Sequence, residues 1–282
     1  MGGVETSLGR IPCRAERPEP QKFAWPILLL PELFTAGSHL AVMLGYLATI
    51  GWEVYLPDLR ALAGRHGTPP LARMGFDDLL ALAGEAFDAL KHPAIAIGHG
   101  LGGLLALKLA ETRSLKAAVA LAPLVPGVPN PLITRWAKRS ALWLRRPLPP
   151  PRGRTLFELV LDVEPFQRPA LVQALVADAT RAADDVVAGR IRFAAHSELP
   201  PRLVIAGEAD PFAALDQVIA FANSIGAATV TAKGRGHWLI GGRGLERTVG
   251  EAHRFLVRAL GEELLLLFSE QWQTREDGGT KD

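Results

Sequence analysis

The sequence predicts an α/β protein: a mostly parallel sheet with helices on both faces, plus a helical insertion. Three observations carry this. Short apolar, often β-branched runs alternate with helical patterns of about ten to fifteen residues, as in a covered parallel sheet. At 94–110, "AIAIGHGLGGLLALKLA" passes from strand to helix through a tight glycine cluster. The stretch 122–200 carries helical patterns and no evident strand.

The elements follow in order. Ile27–Leu30 is a short apolar run, 36–50 suits a helix, and Trp52–Leu56 is a strand candidate ending at Pro57-Asp58. From Gly75 to Lys91, Phe76, Leu79, Leu80, Ala83, Phe87 and Leu90 share one helical face. Ala94–Ile97 is the next strand, followed by the glycine cluster and a helix through about Glu111. Lys116–Leu121, Arg202–Ala206 and Thr229–Ala232 are further strands. Leu245, Val249, Ala252, Leu256 and Leu260 mark a closing amphipathic helix.

The insertion opens with "APLVPGVPNPLI" and carries Trp136, Trp143 and an arginine group, Arg145, Arg146, Arg152 and Arg154. Helical patterns follow at 156–162 and 168–188. An insertion between sheet strands is expected over their C-terminal ends, where such folds bind ligands, so it reads as a lid. The chain thus divides into a core of 1–121 and 201–268, a helical lid of 122–200, and a polar tail of 269–282 expected to be disordered.

Composition narrows the function classes. The chain of 282 residues can bury a sizeable core. A net charge of +2, from 31 basic and 29 acidic residues, gives no electrostatic case for nucleic acid. Cys13 is the one cysteine, which rules out an internal disulfide and fits a reducing compartment. It stands in a polar N-terminal stretch, a poor place for a nucleophile. The first twenty residues lack the apolar region of a secretory signal. The apolar runs at 94–110 and 117–133 are broken by His99 and glycines or by prolines, so no membrane span is expected. A soluble, cytoplasmic protein follows, and its Ala/Arg/Pro-rich composition suggests a bacterial source.

Over roughly 20–260 the chain resembles the α/β-hydrolase superfamily, in particular bacterial members with a helical lid. The motifs that carry the likeness are "ILLLPELFTAG", "GWEVYLPDLRALAG", "GHGLGG", "LVIAGEADPF" and "GRGHWLI". The resemblance implies that Asp210 is the acid and His237 the base of the family's triad, each just after a strand and in the family's order. It implies that the N–H groups of Leu33 and Leu101 are the oxyanion donors. His99 then precedes the nucleophile position and is expected to pack, and Trp238 lies beside His237.

Two positions depart from the pattern. The family's G-x-S-x-G reads Gly98-His99-Gly100-Leu101-Gly102, so Gly100 stands where the serine belongs. Glycine suits a strained turn but cannot form an acyl-enzyme. It is expected to leave a void of about hydroxymethyl size near His237, open to a water. The second departure is Pro31-Glu32, where relatives carry His-Gly. An ionised, buried Glu32 would repel an oxyanion; alternatively it serves as a general acid or base.

His39, His66, His92, His196 and His253 show no partner pattern, and no Cys/His/Asp cluster has metal-ligand spacing. No metal or cofactor is expected, and the glycine cluster lacks the acidic partner of a dinucleotide site. Three functional readings remain open. One is an enzyme acting on a small apolar carbonyl or ester-like molecule by non-covalent catalysis through His237 and Asp210. The others are a non-catalytic binder of a ligand or partner, and a nucleophile-substituted form of an ordinary ester or thioester hydrolase. The first is the expectation adopted. Nothing in the sequence sets the substrate or the oligomeric state.

Overall fold

A computed structural model describes residues 3–133, 135–194, 199–242 and 244–276. Eight strands form one sheet in the order β1-β2-β4-β3-β5-β6-β7-β8. They are β1 (Val4–Leu8), β2 (Ile11–Glu16), β3 (Ile27–Leu30), β4 (Val54–Pro57), β5 (Ile95–His99), β6 (Ala117–Leu121), β7 (Arg202–Gly207) and β8 (Ala228–Ala232). From β4 to β8 every neighbouring pair is parallel, with Leu28 opposite Ala96 and Ala96 opposite Ala118. β3, β5, β6 and β7 are buried along their whole length, so their sequences run apolar instead of alternating, apart from His99 at the end of β5 and Arg202 at the start of β7.

β1 and β2 are additions that the sequence reading did not include. They form an antiparallel hairpin whose two-residue loop begins at Gly9, at φ 60. β2 then pairs antiparallel with β4, Cys13 opposite Pro57. Cys13 is therefore a buried strand residue, and burial pushes its thiol up to about 12, which leaves it inert as a nucleophile.

Helices α1 (Gly37–Ile50), α2 (Phe76–Ala89), α3 (Leu101–Thr112), α8 (Leu215–Ser224) and α9 (Leu245–Glu276) accompany the strands. α3 is the central one, with Leu104, Leu105, Leu107 and Leu109 fully or almost fully buried beside β5 and β6. Each such leucine stabilises the fold by about 1.5–3 kcal/mol. α9 continues to Glu276, so part of the expected disordered tail is helical; 277–282 lie outside the described residues.

Between β6 and β7 stand α4 (Arg135–Leu144), α5 (Gly153–Leu159), α6 (Arg168–Gln173) and α7 (Thr180–Val187). This segment is tied to loops that leave the C-terminal ends of three parallel strands. Asp178 pairs with Arg60 after β4 and accepts from Phe34 N after β3 at 2.7 Å. Asp162 accepts from Gly236 N after β8 at 2.6 Å. Its four arginines, Arg145, Arg146, Arg152 and Arg154, all face solvent. His196, and the side chain of Trp136, lie outside the described residues.

The junction of β5 and α3 depends on glycine. Gly100 has φ 50 and ψ −113, a conformation costly for any residue with a Cβ. At Gly102 a Cβ would come within 2.2 Å of the Leu30 carbonyl oxygen, so β3 and α3 approach as closely as their backbones allow. Gly102→Ala is expected to lower stability by about 1–3 kcal/mol, because the clash is with backbone. Urea denaturation of the two proteins measures it.

Candidate functional site

Glu32, Gly100, Leu101, His99, Asp210 and His237 converge at the C-terminal edge of β3 and β5. Their numbers are far apart, but parallel neighbours β3 and β5 bring the residues after Leu30 beside those after Gly98. The loops after β7 and β8 supply Asp210 and His237. Asp210 Oδ2 and His237 Nδ1 are 2.8 Å apart, and Asp210 Oδ1 accepts from Phe212 N at 2.8 Å. The expected acid–base pair is therefore assembled, with the aspartate fixed by its own turn.

The void expected at Gly100 does not exist. A Cβ built on Gly100 would lie 1.0 Å from Glu32 Oε2, so the Glu32 carboxylate fills that space. Oε1 accepts from Leu33 N at 2.5 Å and from Leu101 N at 3.0 Å. Oε2 lies 3.2 Å from His237 Nε2. The same N–H groups expected to face an oxyanion thus hold a carboxylate of the chain itself. The N-terminus of α3 adds the positive end of its dipole there.

The site is sealed. The Glu32 and His237 side chains are 1% and 0% exposed, and that of Asp210 is 2%. Leu33, Leu101 and Trp238 are buried around them. Burial pulls the His237 ring down, but the charge and hydrogen bond of Asp210, joined by Glu32, outweigh it and raise it to about 10. His237 is therefore an imidazolium at neutral pH, held between two carboxylates.

His99 also does more than pack. Its Nε2 lies 2.8 Å from the His237 carbonyl oxygen, and its Nδ1 is buried with no hydrogen-bond partner among the described residues. Burial first, and the His237 charge second, hold His99 down at about 4. One ligating atom from each of Glu32, His99 and His237 lies within 4.8 Å of the others, a grouping invisible to a search for short ligand spacings.

Asp178 and Arg60, absent from the sequence reading, hold the Glu32 loop in place. Phe34 has φ 66, unusual for a phenylalanine, and is pinned by its N–H to Asp178 and by Val176 N to its carbonyl oxygen at 2.9 Å. Arg60 joins the cluster through Asp178 and the Thr35 carbonyl. No local pattern around Asp178 signals this role. Thr35 caps the loop through its hydroxyl to the Glu32 carbonyl at 2.8 Å.

A parallel sheet flanked by helices, with an Asp–His pair on the loops after its last two strands, defines an α/β-hydrolase fold. The family model for the alpha/beta hydrolase family matches residues 24–251, and the chain belongs to that family. Solved structures agree on the fold. A monoacylglycerol lipase from Paleococcus ferrophilus has a TM-score of 0.67 at 19% identity, over 88% of this chain and 98% of that one. An enol-lactonase from Burkholderia xenovorans LB400 has a TM-score of 0.62 at 19% identity, over 90% and 100%. A 2-hydroxy-6-oxo-6-phenylhexa-2,4-dienoate hydrolase from Rhodococcus sp. strain RHA1 has 0.64 at 19%, over 91% and 98%. No curated protein sequence gives a significant match. No described helix is long and apolar enough to cross a membrane.

The His237 charge has a measurable consequence. A folded-state value of about 10, above the ordinary 6.5, means its stabilisation is complete below pH 6.5 and lost as pH rises towards 10. Thermal melts from pH 6 to 10 are expected to fall more steeply for the native protein than for His237→Gln. Equal slopes would show that His237 is neutral.

Proposed function

We propose that this protein acts on a small apolar carbonyl or ester-like molecule without an acyl-enzyme, by proton transfer through Glu32, His237 and Asp210. Gly100 is read as the family's nucleophile position, vacated by its hydroxyl. The observation that carries the reading is the Glu32 carboxylate, seated above Gly100 and 3.2 Å from His237 Nε2. A carboxylate and an imidazole buried in contact are a proton-transfer pair whose environment shifts the imidazole by several units, as acid–base sites require. In this scheme Asp210 keeps the Nδ1 proton in place and Glu32 exchanges the Nε2 proton with the substrate. The 122–200 segment acts as the lid that admits the molecule. The fold neighbours are named for a glycerol ester, an enol-lactone and an oxo-dienoate, which supports a carbonyl compound as the substrate class.

One observation favours a second reading, a non-catalytic binder. Glu32 Oε1 already takes both N–H donors, Leu33 and Leu101, so a substrate oxyanion finds no stabilisation while Glu32 stays. The third reading, a simple serine deletion, is weakened by the same geometry, because Gly100→Ser would drive its Cβ into Glu32.

The test is turnover of activated esters, thioesters and enol-lactones by the native protein, Glu32→Gln, His237→Ala, Gly100→Ser and Glu32→Gly/Gly100→Ser. Native turnover without an acyl-enzyme burst, reduced by about 10²–10⁴ in Glu32→Gln and His237→Ala, is the expected result. Gly100→Ser alone is expected to be inactive. A silent native protein beside an active Glu32→Gly/Gly100→Ser would replace the proposal with the binding reading.

A further inference from the structure

We propose that Glu32, His99 and His237 form a binding site for one divalent transition-metal ion such as Zn²⁺. This goes beyond the proton-transfer reading and does not depend on it.

His237 Nδ1 faces a carboxylate, Asp210, which only accepts, so Nδ1 carries a proton. Nε2 then faces Glu32 Oε2 at 3.2 Å, and two acceptors at that distance need something positive between them. A proton on Nε2 is one solution and a cation is the other. His99 separates the two. Its Nε2 faces the His237 carbonyl, which also only accepts, so Nε2 is the protonated nitrogen and Nδ1 is a bare acceptor. That Nδ1 is fully buried and unpartnered, and the His237 proton leaves it so. A cation held by all three residues gives it a partner.

The Glu32–His237 pair has the spacing of two metal ligands. Two ligand atoms 3.2 Å apart subtend about 100° at an ion 2.1 Å from each, between the tetrahedral and octahedral angles. One ligating atom from each residue lies within 4.8 Å of the others, wider than the roughly 4.2 Å spanned by two opposite ligands each about 2.1 Å from an ion, so ion binding draws His99 inward. The surroundings supply what metal-bound histidines need. Asp210 accepts the Nδ1–H of His237, and the His237 carbonyl accepts the Nε2–H of His99, which fixes both tautomers and leaves His237 Nε2 and His99 Nδ1 as the nitrogens free to ligate. Leu33 and Leu101 hold the distal oxygen of Glu32, leaving Oε2 to the ion. Two imidazoles and one carboxylate suit Zn²⁺, Fe²⁺ or Mn²⁺ over Mg²⁺ or Ca²⁺. The ion takes the place of the proton between Glu32 and His237, so metal-bound and proton-transferring forms exclude each other.

The experiment strips the full-length protein with a chelator and dialyses it against Zn²⁺ and, separately, Co²⁺. Metal content is read by elemental analysis and ligand type by the Co²⁺ absorption spectrum. One ion per chain is expected in the native protein and in His66→Ala and His92→Ala, whose histidines are exposed. Stoichiometric binding is expected to vanish in His99→Leu and Glu32→Gln, with circular dichroism showing that both fold. Asp210→Asn is expected to bind about 10–100-fold more weakly. Zn²⁺ should also raise the melting temperature of the stripped native protein but not of His99→Leu, a readout that needs no turnover. No uptake, or uptake that His99→Leu leaves unchanged, would overturn the site while leaving the proton-transfer reading to its own assay.

Discussion

The Glu32 carboxylate is the constraint on which the rest of the site depends. A buried, isolated carboxylate costs several kcal/mol in lost hydration, and it persists only where charge and hydrogen bonds offset that cost. Here two N–H groups, the N-terminus of α3 and the imidazole of His237 do so together. Each of these is fixed by the core. The α3 N–H points inward because Gly100 turns sharply and donates its own N–H to the Leu121 carbonyl at 2.9 Å. The Leu33 N–H points inward because Phe34 is held at positive φ by Asp178. The histidine loop is braced by Arg235, which donates to the carbonyls of Trp238 and Gly241 at 2.9 and 3.2 Å.

This arrangement changes what a hydrolase fold can do. Two N–H groups aimed at one point stabilise any negative oxygen there, whether of a tetrahedral intermediate or a resident carboxylate. The carboxylate wins by proximity, since it is attached to the loop that carries one of the donors and needs no entropy of association. Gly100 follows from that choice. A side chain at 100 and the Glu32 carboxylate compete for one volume, and only one of them fits.

Much of the sheet was legible from sequence for a physical reason. Strands buried on both faces tend to run continuously apolar, and β3, β5, β6 and β7 do so apart from the terminal His99 and Arg202. β1 escaped the reading because it is an edge strand exposed at four of its five residues. Asp210 and His237 were legible through their motifs. The orientation of Glu32 was not, because its neighbours come from residues 33, 100, 101 and 237, which only the parallel register of the sheet unites. The role of His99 depends on one unpartnered nitrogen, a fact that exists only in three dimensions. Asp178 lies in an insertion whose docking onto the Glu32 loop has no sequence signature.

How a substrate or ion reaches a site whose side chains are 0–2% exposed is then a question about that docking. The 122–200 segment packs Leu159, Val160, Ala182, Ala183 and Val186 into the common core and adds carboxylates that accept backbone N–H groups: Asp178 from Phe34, Asp185 from Phe76 and Asp162 from Gly236. Charge-assisted bonds of this kind are strong in a dry contact and weak once water enters. Asp178 matters most among the three, because it bonds both to Arg60 and to the strained Phe34. Opening at Asp178 removes the bond that keeps the Leu33 N–H aimed at Glu32. In the proposed reading, where this segment is the lid, access to the site and release of the Glu32 carboxylate are therefore one motion.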